Sequence, residues 1–390
     1  MSELVDFYRQ WINSRPMEPI VLEEPIPLED LHTPALVIDL DLFEANLDRM
    51  QSHIDGAGIR LRPHTKMHKC PIIARQQIKR GAQGVCTAKL AEAEVMSLAG
   101  IDDVLITSPL ASSDKLERFI ALRSSYAGVK LVVDQGDTVS QLNNMASARG
   151  LSVDVYIDID PAMGRTGIEA GKPTLDLATQ ILDSAYLELA GLQMYAGHCM
   201  HIQSHEARAR KYEEVMAAGF QTLELLLSAG IEVGTFSGGG TGTYDIEPSQ
   251  NLINELQAGS YAFMDIEYRD IGGRQSEFFD DFSVSLFVLA TAISQPQSRL
   301  ITVDAGFKSL ASDKMAPEFR NVEGVAYHWG GDEHGIIQLS NPSKTIQLGE
   351  KLEVLTPHCD PTVNLHDFYF PYRDGIVREI WPITARGLSQ

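Results

Sequence analysis

Along the chain, short apolar runs alternate with longer stretches in which apolar positions recur at helical spacing. The strand-sized runs are ALVIDL (35–40), IRLRPH (59–64), GVCTA (84–88), DVLIT (103–107), VKLVVD (129–134), SVDVYIDI (152–159), LAGLQMYAG (189–197), EVGTFSG (232–238) and LQAGSYAF (256–263). Helical patterns lie between most of them; from His205 to Ala229, Val215, Phe220, Leu223, Leu226 and Leu227 recur near a 3.6-residue period. Strands spaced by roughly 20–40 residues with helical crossovers predict a parallel α/β fold. Eight of them would close a (β/α)8 barrel; a doubly wound sheet gives the same alternation, and periodicity leaves both open. After about Gln275 the texture changes. SLFVLATAI (285–293), RLITVDAG (299–306), GVAYHW (324–329), GIIQLS (335–340), KLEVLT (351–356), HDFYF (366–370) and GIVREIW (375–381) follow with turns and little helix between them, which predicts an all-β domain of roughly 110 residues. The first thirty residues, with Pro16, Pro19, Pro25 and Pro27 among acidic residues, are expected to be an extended arm.

Composition narrows the function. The chain has 390 residues, 44% hydrophobic and 22% charged, enough to bury a large core without disulfide or metal staples. Its 32 Lys and Arg against 53 Asp and Glu give a net charge of −21, which repels phosphate backbones and anionic lipid and argues against nucleic-acid and membrane-surface partners. Cys70, Cys86, Cys199 and Cys359 show no CxxC spacing, so a reducing, cytoplasmic setting is expected. The N-terminal Met-Ser-Glu-Leu-Val-Asp lacks the pattern of a secretory signal, and no segment approaches the ~20 apolar residues of a membrane span.

Four segments carry candidate chemistry. Arg62-Pro63-His64-Thr65-Lys66-Met67-His68-Lys69 follows the second strand candidate, where α/β enzymes place catalytic groups. Crowded positive charge disfavours an ammonium, so a lysine here is expected to be a free-amine nucleophile able to form a Schiff base; a solvated basic loop is the plain alternative. Ser237-Gly238-Gly239-Gly240-Thr241-Gly242-Thr243 and Gly259-Ser260-Tyr261 follow the last two strand candidates. Such donor clusters suit an anion, and this is where barrels hold phosphate. His198, His201 and His205 are spaced by three and four residues; a His₃ metal site and a single acid–base histidine both fit. In Pro357-His358-Cys359-Asp360, an extended chain would turn His358 and Asp360 to one side and Cys359 to the other. Nitrogen with oxygen and no thiolate suits manganese or magnesium better than structural zinc.

In order, TPALVIDLDLFEANL, LRPHTKMHKCP, the MGRTG around Arg165, GLQMYAGHCMH, SGGGTGT, ELQAGSYAFMD, VDAGFKS, DEHG, PHCDPTVNLHD and WPITARG resemble the D-threonine aldolase and D-serine dehydratase family of pyridoxal-phosphate enzymes, of alanine-racemase-like fold (fold type III). The resemblance runs from about Thr33 to Gly387. It implies an N-terminal arm (1–32), a strand joining the β domain (33–40), a (β/α)8 barrel carrying pyridoxal 5'-phosphate (41–272) and a β domain carrying the metal site (273–390). It also implies a homodimer in which the β domain of one subunit helps to close the other's site.

By the same resemblance Lys66, not Lys69, binds the cofactor covalently. Ser237, Gly239, Gly240, Thr241, Gly259, Ser260 and Tyr261 hold its phosphate, and Arg165 and Tyr195 contact its ring. His358 and Asp360 bind a divalent ion (Mn²⁺ or Mg²⁺), and His201 is the base on the substrate hydroxyl. One departure is the loop after DVLIT, where the resemblance leads to Asn-Glu and the chain has Ser108-Pro109. Within the family, His-x-Asp marks the aldolases and His-x-Cys the dehydratases. Asp360 therefore leads to an aldolase that cleaves a D-3-hydroxy amino acid, of D-threonine or D-3-hydroxyaspartate type, to glycine and an aldehyde. A D-serine or D-threo-3-hydroxyaspartate dehydratase is the same-fold alternative. A non-catalytic cofactor-homeostasis protein is disfavoured by the second domain and the metal half-site.

Overall fold

In the computed structural model, which describes residues 3–250 and 252–390, eight short parallel strands form one sheet. They are Arg60–Leu61, Val85–Thr87, Val104–Ile106, Val129–Val133, Val153–Asp158, Leu187–Met194, Phe236–Gly238 and Glu255–Leu256. The last pairs with the first, Glu255 opposite Arg60, and a bridge between His64 and Cys86 closes the circle. Closure decides for the barrel over the doubly wound sheet. Both strand faces are buried: Val104, Ile106, Leu131, Val133, Val155 and Ile157 pack outward with the helices, and on the inner side Cys86, Leu105, Val132 and Tyr156 form a smaller apolar cluster.

A polar network threads the same interior. Arg62 pairs with Asp103 (2.6 Å) and Glu255 (2.9 Å), and Glu255 accepts from the Ser237 hydroxyl (2.8 Å). Gln257 donates to Ser237 (2.9 Å) and to Gln193 (3.0 Å), and Gln193 donates to Asp158 (2.9 Å).

The second sheet is mainly antiparallel and includes Leu286–Gln297, Leu300–Val303, Val325–Trp329, Gly335–Leu339, Lys351–Leu355, Phe368–Arg373 and Ile376–Pro382. The early strand Ala35–Asp39 lies in this sheet, antiparallel to Leu286–Leu289 and parallel to Tyr369–Tyr372. The N-terminal segment is not simply extended. It holds a helix, Glu3–Asn13, and a strand, Ile20–Pro27, paired with Ile376–Ile380. Nothing breaks that helix before Pro16, and its Ile12 is fully buried against Ala91, Val95 and Leu388. The strand tolerates Pro25 because it lies at the sheet edge, where a missing donor costs little.

Candidate active site

The turns after the barrel strands meet in one pocket of about 220 Å³, whose lining includes Lys66, Arg165, Tyr195, Gly240, Thr241, Gly259 and Ser260. The turn Thr65–Met67 presents Lys66. Thr65 anchors it by donating to the Cys86 carbonyl (3.0 Å), and the Lys66 N–H donates to His64 Nδ1 (3.3 Å). Because the Thr107 hydroxyl donates to the Thr87 carbonyl, it accepts from His64 Nε2 at 3.1 Å. These bonds fix the Nε2–H tautomer of His64. Burial, with Lys66 beside it, pushes this ring down to about 3, so it is neutral.

The expected free amine is not what the surroundings favour. Burial works against the Lys66 ammonium, but Asp360, in direct contact with it, holds its pKa well above the ordinary value. Burial likewise disfavours the Asp360 carboxylate, and Lys66 outweighs that, holding it at about 2. The sequence shows the local cations and not the anion 294 residues away. Lys69 is engaged elsewhere, in a buried pair with Glu92.

Arg165 lies with its guanidinium 5.3 Å from the Tyr195 ring centre, on a loop held by Asp160, which accepts from the N–H groups of Met163 and Gly164. On the opposite wall the glycines allow close approach. A Cβ on Gly240 would lie 2.8 Å from Met200 Sδ, and one on Gly259 would lie 2.7 Å from the His64 carbonyl oxygen. The Tyr261 N–H donates to Thr241 Oγ1 (3.0 Å), joining the two turns. Three residues expected here turn their side chains or packing elsewhere. Ser237 is bonded within the barrel interior, the Tyr261 hydroxyl accepts from Gln77 (3.0 Å), and Gly239 packs on Glu247. Pocket residues that the sequence did not single out are His64, Thr107, Gln193, Gln257 and Tyr268, and Ser108 of the departing loop lines it too.

The His358–Asp360 segment is not extended. A short helix, Cys359–Val363, begins directly after His358, anchored by the Cys359 N–H donating to the buried Asp265 (2.8 Å). His358 Nε2 and Asp360 Oδ2 nevertheless face one another at 4.0 Å. An ion with bonds of about 2.1 Å fits between them, so this donor pair is compatible with a divalent metal. Cys359 does not point away from this carboxylate; its Sγ lies 3.5 Å from Asp360 Oδ2. Burial pushes that thiol far up, which keeps it protonated.

The His201 ring packs on Tyr268 with centres 4.5 Å apart and planes tilted by 46°, and its Nδ1 lies 3.6 Å from Glu267 Oε1. Burial lowers its pKa, with Lys314, His358 and Lys66 adding to the effect against Glu267. A His₃ site is not formed: His205 is bonded to Asp245 (2.8 Å) and His198 is exposed. Among the described residues, no group of three or more His, Cys, Asp or Glu is arranged to hold a metal.

An alanine racemase N-terminal domain matches residues 38–267, and a putative serine dehydratase domain matches residues 285–372. The chain is 37% identical over 364 residues to a D-threonine aldolase of an Arthrobacter species, covering 93% of this chain and 95% of that one. It is 33% identical over 361 residues to a 3-hydroxy-D-aspartate aldolase of Paracoccus denitrificans, covering 92% and 93%. The crystal structure of D-threonine aldolase from Filomicrobium marinum superposes with a TM-score of 0.89 at 37% identity, covering 96% of this chain and all of that one. Barrel, pocket and second domain together define an alanine-racemase-like pyridoxal-phosphate enzyme. Within that class the chain belongs to the D-threonine aldolase and D-serine dehydratase family, and it is a lyase.

Proposed function

We propose that this enzyme cleaves D-3-hydroxy amino acids, of D-threonine or D-3-hydroxyaspartate type, to glycine and an aldehyde, using pyridoxal phosphate and a divalent ion. The observation that carries this reading is a carboxylate, Asp360, facing His358 Nε2 at 4.0 Å and touching Lys66. A carboxylate oxygen with an imidazole nitrogen and no thiolate, the remaining positions left to water and substrate, suits Mn²⁺ or Mg²⁺ better than structural Zn²⁺. Lys66 is the residue that holds the cofactor. The turns at Gly240–Thr241 and Gly259–Ser260 cradle its phosphate, supported from beneath by Ser237, Gly239 and Tyr261, and Arg165 and Tyr195 border its ring.

When bound, the cofactor supplies an electron sink at Cα and the ion acidifies the β-hydroxyl. Neutral His201, with Nδ1 toward Glu267, has Nε2 left to accept the β-hydroxyl proton. The Cα–Cβ bond would then break with its electron pair left on Cα, the aldehyde would leave, and Cα would take a proton, in balance the one His201 removed, to give glycine.

The setting proposed is a cytoplasmic homodimer acting on a small molecule, without nucleic acid or membrane. The charge of −21, four buried free cysteines and the lack, among the described residues, of a helix long and apolar enough to cross a membrane support it. The exposed Phe307, stacked on Trp329 at 4.6 Å, is suited to a subunit contact.

The test is glycine release from D-threonine and D-3-hydroxyaspartate by chelator-treated enzyme, with and without added Mn²⁺. Metal-dependent glycine release from either is expected. Full activity after chelation, or ammonia and a 2-oxo acid as the main products, would overturn the proposal.

A further inference from the structure

We infer that Asp313 is a positioning residue for the ion-binding histidine: its carboxylate holds His358 in the Nδ1–H tautomer and turns Nε2 toward Asp360. The inference rests on the reading of His358 and Asp360 as metal ligands. Asp313 Oδ2 lies 2.8 Å from His358 Nδ1. An ionised carboxylate only accepts, so the proton of a neutral ring sits on Nδ1 and the lone pair on Nε2. Nε2 is the nitrogen that faces Asp360. A carboxylate behind a ligating imidazole fixes its tautomer and orientation and makes it a better donor.

The loop that carries Asp313 is fastened to the His358 segment along its length. The Ser309 carbonyl is 2.9 Å from His366 Nε2, and the Ala311 N–H donates to Thr362 Oγ1 (3.1 Å). The same threonine hydroxyl donates to the His358 carbonyl (2.8 Å). Beyond Asp313, Lys314 pairs with Glu267 (2.9 Å), the carboxylate facing His201. Asp313 is thus held by attachments on both sides of it, although its side chain is 47% exposed. A stray surface contact would have no such frame.

The experiment is Mn²⁺ binding to the cofactor-loaded protein, followed by electron paramagnetic resonance, in wild type, Asp313→Ala, Asp313→Asn and His358→Ala. Asp313→Ala is expected to weaken Mn²⁺ binding about 10–100-fold with cofactor absorbance and circular dichroism unchanged. Asp313→Asn keeps an acceptor oxygen and should recover most of that loss. His358→Ala should lose the site. Wild-type affinity in Asp313→Ala, with none in His358→Ala, overturns the role of Asp313 alone. Loss in Asp313→Ala as complete as in His358→Ala makes Asp313 a ligand, which also overturns it. Unchanged binding in His358→Ala removes the metal reading itself, and this inference with it.

Discussion

Lys66 and Lys69 belong to one basic segment and have opposite surroundings. Lys66 opens on the pocket, while Lys69 is buried against Glu92, which also accepts from the N–H groups of Ala88 and Lys89. Lys66→Ala is expected to lose the cofactor's visible absorbance and all activity, and to lose less stability than Lys69→Ala, because the Lys66 and Asp360 side chains are 44% and 20% exposed against 11% and 2% for Lys69 and Glu92. Lys69→Ala leaves a buried carboxylate unpaired and should lose about 3–5 kcal/mol of stability, measured by urea denaturation. Equal stability of the two variants would contradict this division. Beside the pocket residue Tyr268, His201→Ala should lower kcat by about 10²–10⁴-fold and leave cofactor absorbance intact; turnover close to wild type would move the base elsewhere. The segments that carry Lys66, His201, His358 and Asp360 stood out by residue type and spacing, whereas the choice of Lys66 over Lys69 and of His201 among three histidines came from the family resemblance. Their electrostatics were not legible, because Asp360 reaches Lys66 and Asp313 reaches His358 from distant parts of the chain.

At the scale of elements, the strand-sized apolar runs overlap strands, and those of the barrel are near-continuously hydrophobic because both faces are buried; LQAGSYAF touches a strand only at Leu256 and continues into the turn Ser260–Ala262. The short pieces were less legible. A five-residue helix, Cys359–Val363, has too few turns to show a period, and its start is set by Asp265 in a different element. The N-terminal helix was hidden by the prolines that follow it. The glycine loop was legible as glycine-rich, but the reason for each glycine lies in its neighbours. Gly239 has φ +67, and a Cβ there would lie 2.2 Å from Glu247 Oε1. Gly239→Ala should therefore displace the loop and weaken cofactor retention, followed as loss of visible absorbance on dialysis. Gly230→Ala is the matched comparison, with φ +76 but nothing within 4 Å of its Cβ; it should cost about 1 kcal/mol of backbone strain and retain the cofactor. Equal retention in both would mean that contact with Glu247 does not shape the loop.

Over the whole molecule, the second domain braces the turn that presents Lys66. The Tyr369 hydroxyl donates to the His68 carbonyl (2.7 Å), and the Ala385 N–H donates to the Lys69 carbonyl (3.0 Å). Two buried carboxyls add a cost that depends on pH. Burial raises Glu247 to about 7, against hydroxyl donation from Thr243 and Tyr212, and burial raises Asp158 to about 6. Both carboxyls bind protons more tightly folded than unfolded. Their favourable contribution is therefore complete below the ordinary carboxylate range and is lost as pH rises through about 6 to 7. For Glu247, moved from 4.5 to about 7, the loss is on the order of 3 kcal/mol. Self-repulsion from a net charge of −21 acts in the same direction, so wild type alone does not isolate the effect. Glu247→Gln keeps an acceptor and cannot ionise. Urea denaturation between about pH 5 and pH 8 should show wild type losing stability relative to this variant as pH rises, with most of the change complete near pH 7. A stability difference between the two that stays constant over that range would show that ionisation of Glu247 does not govern it.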